Sequence, residues 1–351
     1  THLFFLEKGI SLLVEGGLFG FIMPNAWLTN HYGVQIRRVV LDQSRVLQML
    51  DLEQTRVFAG AVVDTAVLIL ARGAASADHE VQVLRGKKDR RIEPSFRIAQ
   101  YRWSNDEALI FNTQANPEQT LVLDRIERSR STLDSLVEYS QGVIPFKTKA
   151  DGAANRFISA TAQGQGWRPL LENASQVRRF EIHPPKSFIH YGRWLWCARE
   201  ERYFSQPKIL FHRLRKKLPV QLVGAMDTSG VVNRHSLSNL IQREGTSLEA
   251  LWAVLALFNS KVANWWFAKR YGVLMEVGGF KVGKIPIPIG WEGGSRNLAR
   301  LAKAATEEHR QLQLAKTPHE RTALSRQAEV SESKIDRFVY ELYELTPEEI
   351  A

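Results

Sequence analysis

The stretch EGGLFGFIMPNAWLTNHYGVQIRRVVLDQSRVLQMLDLEQTRVFAGAVVDTAVLILAR, residues 15–72, decides the fold class. Just ahead of it, Leu3, Leu6, Ile10 and Leu13 recur at helical spacing. Gly16-Gly17 stops that helix before the apolar run Leu18–Met23, a short buried strand that Pro24 ends. A second helix around Gly33–Leu41 leads into a strand over Val46–Leu50, and Thr65–Leu70 is an uninterrupted apolar run of the kind found in sheets covered on both faces. Helix and buried strand in alternation predict half of a doubly wound α/β domain.

Working outward, residues 73–115 mix charges with little periodicity and predict a surface hairpin or linker, with RGKKDRR (85–91) as the densest basic run. A helix over Pro117–Arg128 then joins two domains, whose boundary falls near Ser129–Leu136. From Glu138 to Ile289 short strands separated by Gly, Pro and Asn predict an α+β domain with one strong helix, Ser247–Arg270. Beyond Gly290 the composition shifts to Ala, Leu, Gln, Glu, Lys and Arg, and two long helices are expected, about Ser295–Ala315 and Glu320–Leu345. The expected organisation is therefore 1–75, half of a Rossmann-like core; 76–135, hairpin and connecting helix; 136–290, a second domain; and 291–351, a helical segment.

With 44% hydrophobic and 24% charged residues the chain is ordinary globular material, long enough at 351 residues for two or three domains. One cysteine, Cys197, excludes an internal disulfide framework and a cysteine-rich zinc site, and fits a reducing cytoplasm. No run approaches the roughly 18 apolar residues a spanning helix needs. The first residue is Thr1, inside a helical pattern, so the chain is expected to be a fragment of a longer product. Charge is unevenly spread. Residues 136–290 hold 22 Lys and Arg against 10 Asp and Glu, while the segments before them balance and the tail is slightly acidic. The whole net charge of +10 thus belongs to one region, as phosphate neutralisation would require. A solvated basic face that keeps the protein soluble is the alternative.

Residues 16–28 (GGLFGFIMPNAWL), Arg37 and residues 57–70 (VFAGAVVDTAVLIL) resemble the later strands of γ-type adenine-N6 DNA methyltransferases from bacterial restriction-modification enzymes with fused functions. The basic region is similar to a TaqI-like C-terminal specificity domain. The likeness is carried by QGVIPFKTKADGAANRFI (141–158), RRFEIHPPKSFIHYGRWLWCAREERYFSQPKILFHRL (178–214), LFNSKVANWWFAKRYG (257–272) and GGFKVGKIPIPI (278–289). KIDRFVYELYELTPEEI (334–350) is similar to the family's final helix, with Glu344 where a glycine is common. The resemblance implies a parent that methylates adenine N6 in a specific DNA sequence with S-adenosylmethionine. The family's glycine-rich cofactor loop and Asn-Pro-Pro-aromatic tetrapeptide occur nowhere in these residues. No cofactor is therefore expected for this chain alone. Its expected partners are double-stranded DNA and a missing N-terminal catalytic portion or partner chain, with no membrane. The alternatives are a stand-alone DNA-binding specificity adaptor and the methyltransferase component of another phage-defence system.

His183-Pro184-Pro185-Lys186 contains the only Pro-Pro, but His and Lys stand where an amino-group acceptor and an aromatic platform are needed, so an extended loop is expected. Asn25, at a strand end, is read as capping a local turn. Arg213, Arg215, Lys216 and Lys217 form an electropositive tip between two strands. There arginine suits bidentate reading of guanine and lysine suits phosphate. Lys147, Lys149, Arg178, Arg179, Arg193, Lys281 and Lys284 complete the candidate DNA-binding set. Gly278-Gly279 would allow backbone to approach phosphate closely or form a plain turn. Trp252, Leu255, Phe258, Val262 and Trp265 fall on one helical face and predict core, while Trp266, Tyr271 and Trp194 stay open between packing and base stacking. Histidine spacing predicts no metal site, and Glu332-Ser333-Lys334 lacks the context of a nuclease half-motif.

Overall fold

The computed structural model describes residues 2–53, 55, 57, 58, 63–148, 154–215 and 218–351. It comprises two compact units, Thr1–Leu123 with Lys269–Tyr271, and Asp124–Ala268 with Gly272–Ala351.

In the first unit α1 (His2–Leu12) is followed by β1 (Leu18–Pro24), α2 (Val34–Gln43), β2 (Ser44–Asp51) and β3 (Thr65–Arg72), the elements expected from residues 15–72. The sheet order is β1-β3-β2-β4-β5, where β4 is Glu80–Gly86 and β5 Ile92–Ala99. β3 runs antiparallel between β1 and β2, and β4 lies parallel to β2. Residues 73–115 do form a hairpin, β4–β5, but it extends the sheet: Val81 and Val83 are fully buried. Residues 87–91 form its turn, where Lys87 meets Glu93 at 3.2 Å and Arg91 meets Asp89 at 2.7 Å. A short α3 (Tyr101–Ser104) stacks Trp103 on Phe111 with ring centroids 4.5 Å apart. Leu6, Ile10, Met23, Val40, Met49, Leu68 and Leu70 join them in one core. On the opposite face of the sheet, Leu18, Gly20 and Ile22 of edge strand β1 pair with Ala71, Ile69 and Val67, and Leu18 is 68% exposed.

α4 (Pro117–Ile126) precedes the second unit's strands. β6 (Val137–Gln141), α5 (Ala154–Phe157), β7 (Ile158–Ser159), β8 (Trp167–Leu171), β9 (Val177–Arg178), β10 (Glu181–Ile182) and β11 (Ser187–His190) come first. α6 (Arg202–Ser205), β12 (Lys208–His212), β13 (Gly224–Asp227), β14 (Val232–Asn233) and β15 (Leu237–Gln242) follow. They build two four-stranded sheets, β14-β8-β11-β7 and β13-β12-β15-β6, with β9 and β10 as a separate pair. Leu171, Val177, Leu210, Ala225, Val231 and Leu237 pack together on one face of β12. On its other face Phe211 meets Phe258 of α7 (Leu248–Asn259), centroids 5.5 Å apart.

The single helix expected over Ser247–Arg270 is two. Ser260 adopts an extended conformation (φ −66, ψ 157) and its hydroxyl accepts from the Ala263 N–H, capping α8 (Lys261–Tyr271). Serine and asparagine compete with helix hydrogen bonds by bonding backbone themselves, which apolar periodicity does not register. Asn259 pairs in both directions with the Gly224 backbone at 2.9 Å, tying the break to β13. Leu255, Phe258, Val262 and Trp266 are buried, whereas Trp252 and Trp265, expected in the core, are only partly covered. α9 (Gly279–Gly283), α10 (Trp291–Leu314), α11 (Pro318–Leu342) and α12 (Pro347–Ile350) close the chain. α11 starts from a Thr317/Glu320 capping box.

Two local features have measurable consequences. The Lys208 ammonium is wholly buried on Asp227 and donates to Phe204 O at 3.2 Å. Asp227 also accepts from the Ser229 N–H and hydroxyl and the Val231 N–H, all within 3.0 Å. Asp227→Ala or Lys208→Met alone should cost about 3–5 kcal/mol in urea unfolding, because each strands a buried charge, and the double variant should recover part of that loss. Glu344, in the position where the resemblance carries glycine, has φ 54. It follows α11 in a Schellman closure, with Leu345 N–H bonded to Tyr340 O and Glu344 N–H to Glu341 O. Glu344→Gly should raise stability by about 0.5–1 kcal/mol, read as a higher urea midpoint, since only glycine takes this conformation without a Cβ penalty.

Candidate nucleic-acid interface

Of the candidate cations, Lys149, Lys216 and Lys217 lie outside the described residues. Lys147, Arg178 and Arg193 are exposed, and none has a carboxylate partner among the described residues. Lys284 is half-exposed and bonded to Asp134 at 3.1 Å.

The others are committed to the fold. Arg179 bridges Glu332 at 2.9 Å and Asn259 O at 2.8 Å, pinning β9 to α11. Arg213 reaches Glu276 at 2.6 Å and His235 O at 3.2 Å. Arg215 is 6% exposed, donating to Val220 O at 2.9 Å and lying 2.8 Å from His212 Nδ1. Burial pulls the pKa of Arg215 below its ordinary value. A guanidinium whose donors already bind the loop it sits in cannot offer the same donors to a guanine, so the pairing of Arg213 and Arg215 as base readers meets a physical obstacle. Lys281 is likewise buried within α9. Gly279 leaves out a Cβ that would collide with the Tyr139 ring, whereas a Cβ at Gly278 would meet open space.

What the sequence pattern did not separate is the surface around Lys147. Residues 143–145 run between two neighbouring segments: Val143 bridges Arg234, and Ile144 bridges Cys197 with hydrogen bonds of 2.9 and 3.0 Å. This brings Lys147 over the Trp196 ring at 5.1 Å and Arg234 over Phe146 at 5.6 Å. Arg199 is exposed and donates to Gln141 at 3.1 Å. The missed cations here are Arg199, Arg234 and, in the Pro184-Pro185 loop, the exposed Lys186. The usable signal was the alternation Trp194-Leu195-Trp196, which points two aromatic residues away from a buried one. A separate open groove of about 570 Å3 is lined by Glu138, Tyr139, Tyr203, Arg243, Gly279 and Phe280.

The remaining motifs serve structure. His183-Pro184-Pro185-Lys186 is the loop between β10 and β11, held by His183 N–H to Gln176 O at 2.8 Å. Asn25 begins a 3-10 turn, Asn25–Leu28, and is tied through its backbone N–H to Asp64 O. Glu332 is occupied by Arg179 and by His309 at 2.9 Å. No cluster of His, Cys, Asp and Glu suited to a metal occurs among the described residues, and no described helix is long and apolar enough to cross a membrane.

The strand-to-helix turn between β1 and α2 is filled from within the fold. Arg37, fully buried, fills it by donating to Trp27 O, to Asn30 O at 3.0 Å and to Ala108 O at 2.9 Å. Desolvation lowers its pKa to about 10, with Asp106 opposing the shift. Gly33 is the close-approach residue of that turn, and a Cβ there would collide with Trp27 O and the Arg37 guanidinium. The turn is closed by the protein's own groups.

Residues 169–287 match the TaqI-like C-terminal specificity domain and residues 1–58 match the Eco57I restriction-modification methylase. No curated protein matches the chain. Among solved structures, the Type IIL restriction-modification enzyme MmeI in complex with DNA is 9% identical with a TM-score of 0.57, over 98% of this chain and 48% of that one. The type IIG restriction endonuclease BpuSI is 12% identical over 97% of this chain and 49% of that one, and its TM-score of 0.39 carries no weight. This chain thus spans about half the length of both. The first of these likenesses supports the fold, an α/β segment followed by an α+β unit and C-terminal helices. The chain thus resembles restriction-modification methylases in two separate segments, an Eco57I-like start and a TaqI-like C-terminal specificity stretch.

Proposed function

We propose that this chain is the DNA-recognising portion of a bacterial, cytoplasmic, S-adenosylmethionine-dependent adenine-N6 methyltransferase of a restriction-modification system. The reaction's catalytic and cofactor-binding groups would lie on a portion upstream of these residues. The observation that carries the reading is the set of exposed cations, Lys147, Arg178, Lys186 and Arg193, free of carboxylates among the described residues, within or beside the segment that matches a specificity domain. Mobile counterions condensed on DNA are released when such cations take their place, and that entropy gain supplies affinity independent of sequence.

The upstream portion would cover the first unit. Phe4 and Phe5 of α1 and Leu18 of β1 are all more than 60% exposed, and β1 presents an unpaired sheet edge. An apolar face beside an open edge is unfavourable in water and favours coverage by another part of the same enzyme. In this reading S-adenosylmethionine is held by that portion.

Two measurements test the proposal. If about 5 phosphates are engaged, log K for duplex DNA should fall with log salt at a slope near −4.5, followed by fluorescence anisotropy across a salt series. A flat dependence would leave the basic surplus with a solubility role. Lys147→Ala, Arg178→Ala and Arg193→Ala should each weaken binding to all sequences and flatten the slope by roughly one. Arg179→Ala should instead lower the unfolding midpoint, because it leaves the partly buried Glu332 without its arginine.

A further inference from the structure

We propose that Trp194 and Trp196 form an aromatic platform that stacks on a nucleobase unstacked from bound DNA. This rests on the DNA-recognition reading above and adds a binding mode to it. Leu195 sits between the two rings in the chain and is buried with Val143, Leu170, Ile189, Phe204 and Val232. Its neighbours on either side project outward, leaving Trp194 51% and Trp196 56% exposed. Exposure of two indoles separated by a single residue is costly in water unless something apolar covers them.

Their placement is rigid. Trp194 Nε1 donates to His190 O at 3.0 Å and its ring lies 4.4 Å from that of His190, which is itself stacked 5.6 Å from Trp167 at 8°. Gly192 has no Cβ where the Trp194 ring folds back. Trp196 is anchored through its backbone N–H to Pro145 O at 3.3 Å, next to the Cys197–Ile144 bridge. Such preorganisation removes most of the ordering cost of a contact made later.

Charge selects the occupant. Lys147 lies over Trp196, and Arg193 and Arg199 are exposed beside the pair. The nearby carboxylates are drawn off, Glu200 by Arg202 at 2.9 Å and Glu201 by Arg168 at 3.7 Å. Exposed indoles with cations at hand match a base attached to a phosphate, and base–aromatic stacking tolerates any sequence because every base has a π face. In an intact duplex those faces are covered by neighbouring bases. The platform therefore takes a base from a step that has opened, as apolar wedges do in kinked duplexes.

The test uses this 351-residue chain, three DNA probes of one sequence and fluorescence anisotropy. The probes are a perfect duplex, the same duplex with one bulged nucleotide, and the single strand. The parent chain should prefer the bulged duplex over the perfect one. Trp194→Ala and Trp196→Ala should each reduce that preference roughly tenfold while leaving perfect-duplex binding nearly unchanged. Trp194→Phe and Trp196→Phe should keep most of the preference, which separates stacking from a folding defect in the alanine variants. Parent-like preference in properly folded alanine variants, or no preference in the parent, overturns the platform while DNA recognition stands, and would assign the rings to a protein surface. Absence of any DNA binding by the parent overturns both.

Discussion

Strand β12 has almost no solvent to face, and the second unit depends on that. Lys208, Ile209, Leu210 and Phe211 are all buried, with α7 on one side and the β8 and β9 residues on the other. A strand enclosed on both faces cannot slip by one residue without driving a whole row of side chains into the wrong layer. Its register is thereby fixed against β13 and β15. The segments that carry exposed cations and aromatic rings branch from this frame and inherit its rigidity. Lys208, placed inside an otherwise apolar strand, is tolerated because Asp227 and a main-chain carbonyl offset much of the cost of burying its charge.

Total charge and presented charge are different quantities in this chain. Residues 136–290 owe their surplus to 22 cations, yet several of those act as internal struts. Arg179, Arg213 and Arg215 join pieces of chain that short-range sequence pattern cannot connect, and each has several bonding partners within the fold. Arginine is suited to that work because its planar fork can satisfy several carbonyls at once. The remaining cations, spread over separate loops, form a more diffuse positive surface than a single Arg-Lys tip would.

This bears on what the sequence made legible. The α/β start, the basic second region and the two closing helices were readable because each rests on local signals: apolar spacing, glycine stops and composition. The hairpin β4–β5 was readable as a hairpin, but not as part of the sheet, since pairing with β2 is a long-range event between Gln48–Asp51 and Gln82–Arg85. The break at Ser260 was hidden because apolar periodicity passes through it undisturbed. Arg179 was indistinguishable from Arg178 in sequence, one residue apart, and only the position of Glu332, far along the chain, separates a strut from an exposed cation.

The two ends of the stretch 131–287 run side by side. Leu133 N–H bonds to Ile285 O at 3.0 Å, Ile287 N–H to Ser131 O at 2.9 Å, and Thr132 bridges Pro286. The chain therefore enters and leaves this region through one short antiparallel seam. Whatever lies inside the seam can change in length or content without altering the spacing between the segments that flank it. In mechanical terms the seam acts as a clasp: it fixes the distance between α4 and α10 at the base of the region, independently of the strands enclosed.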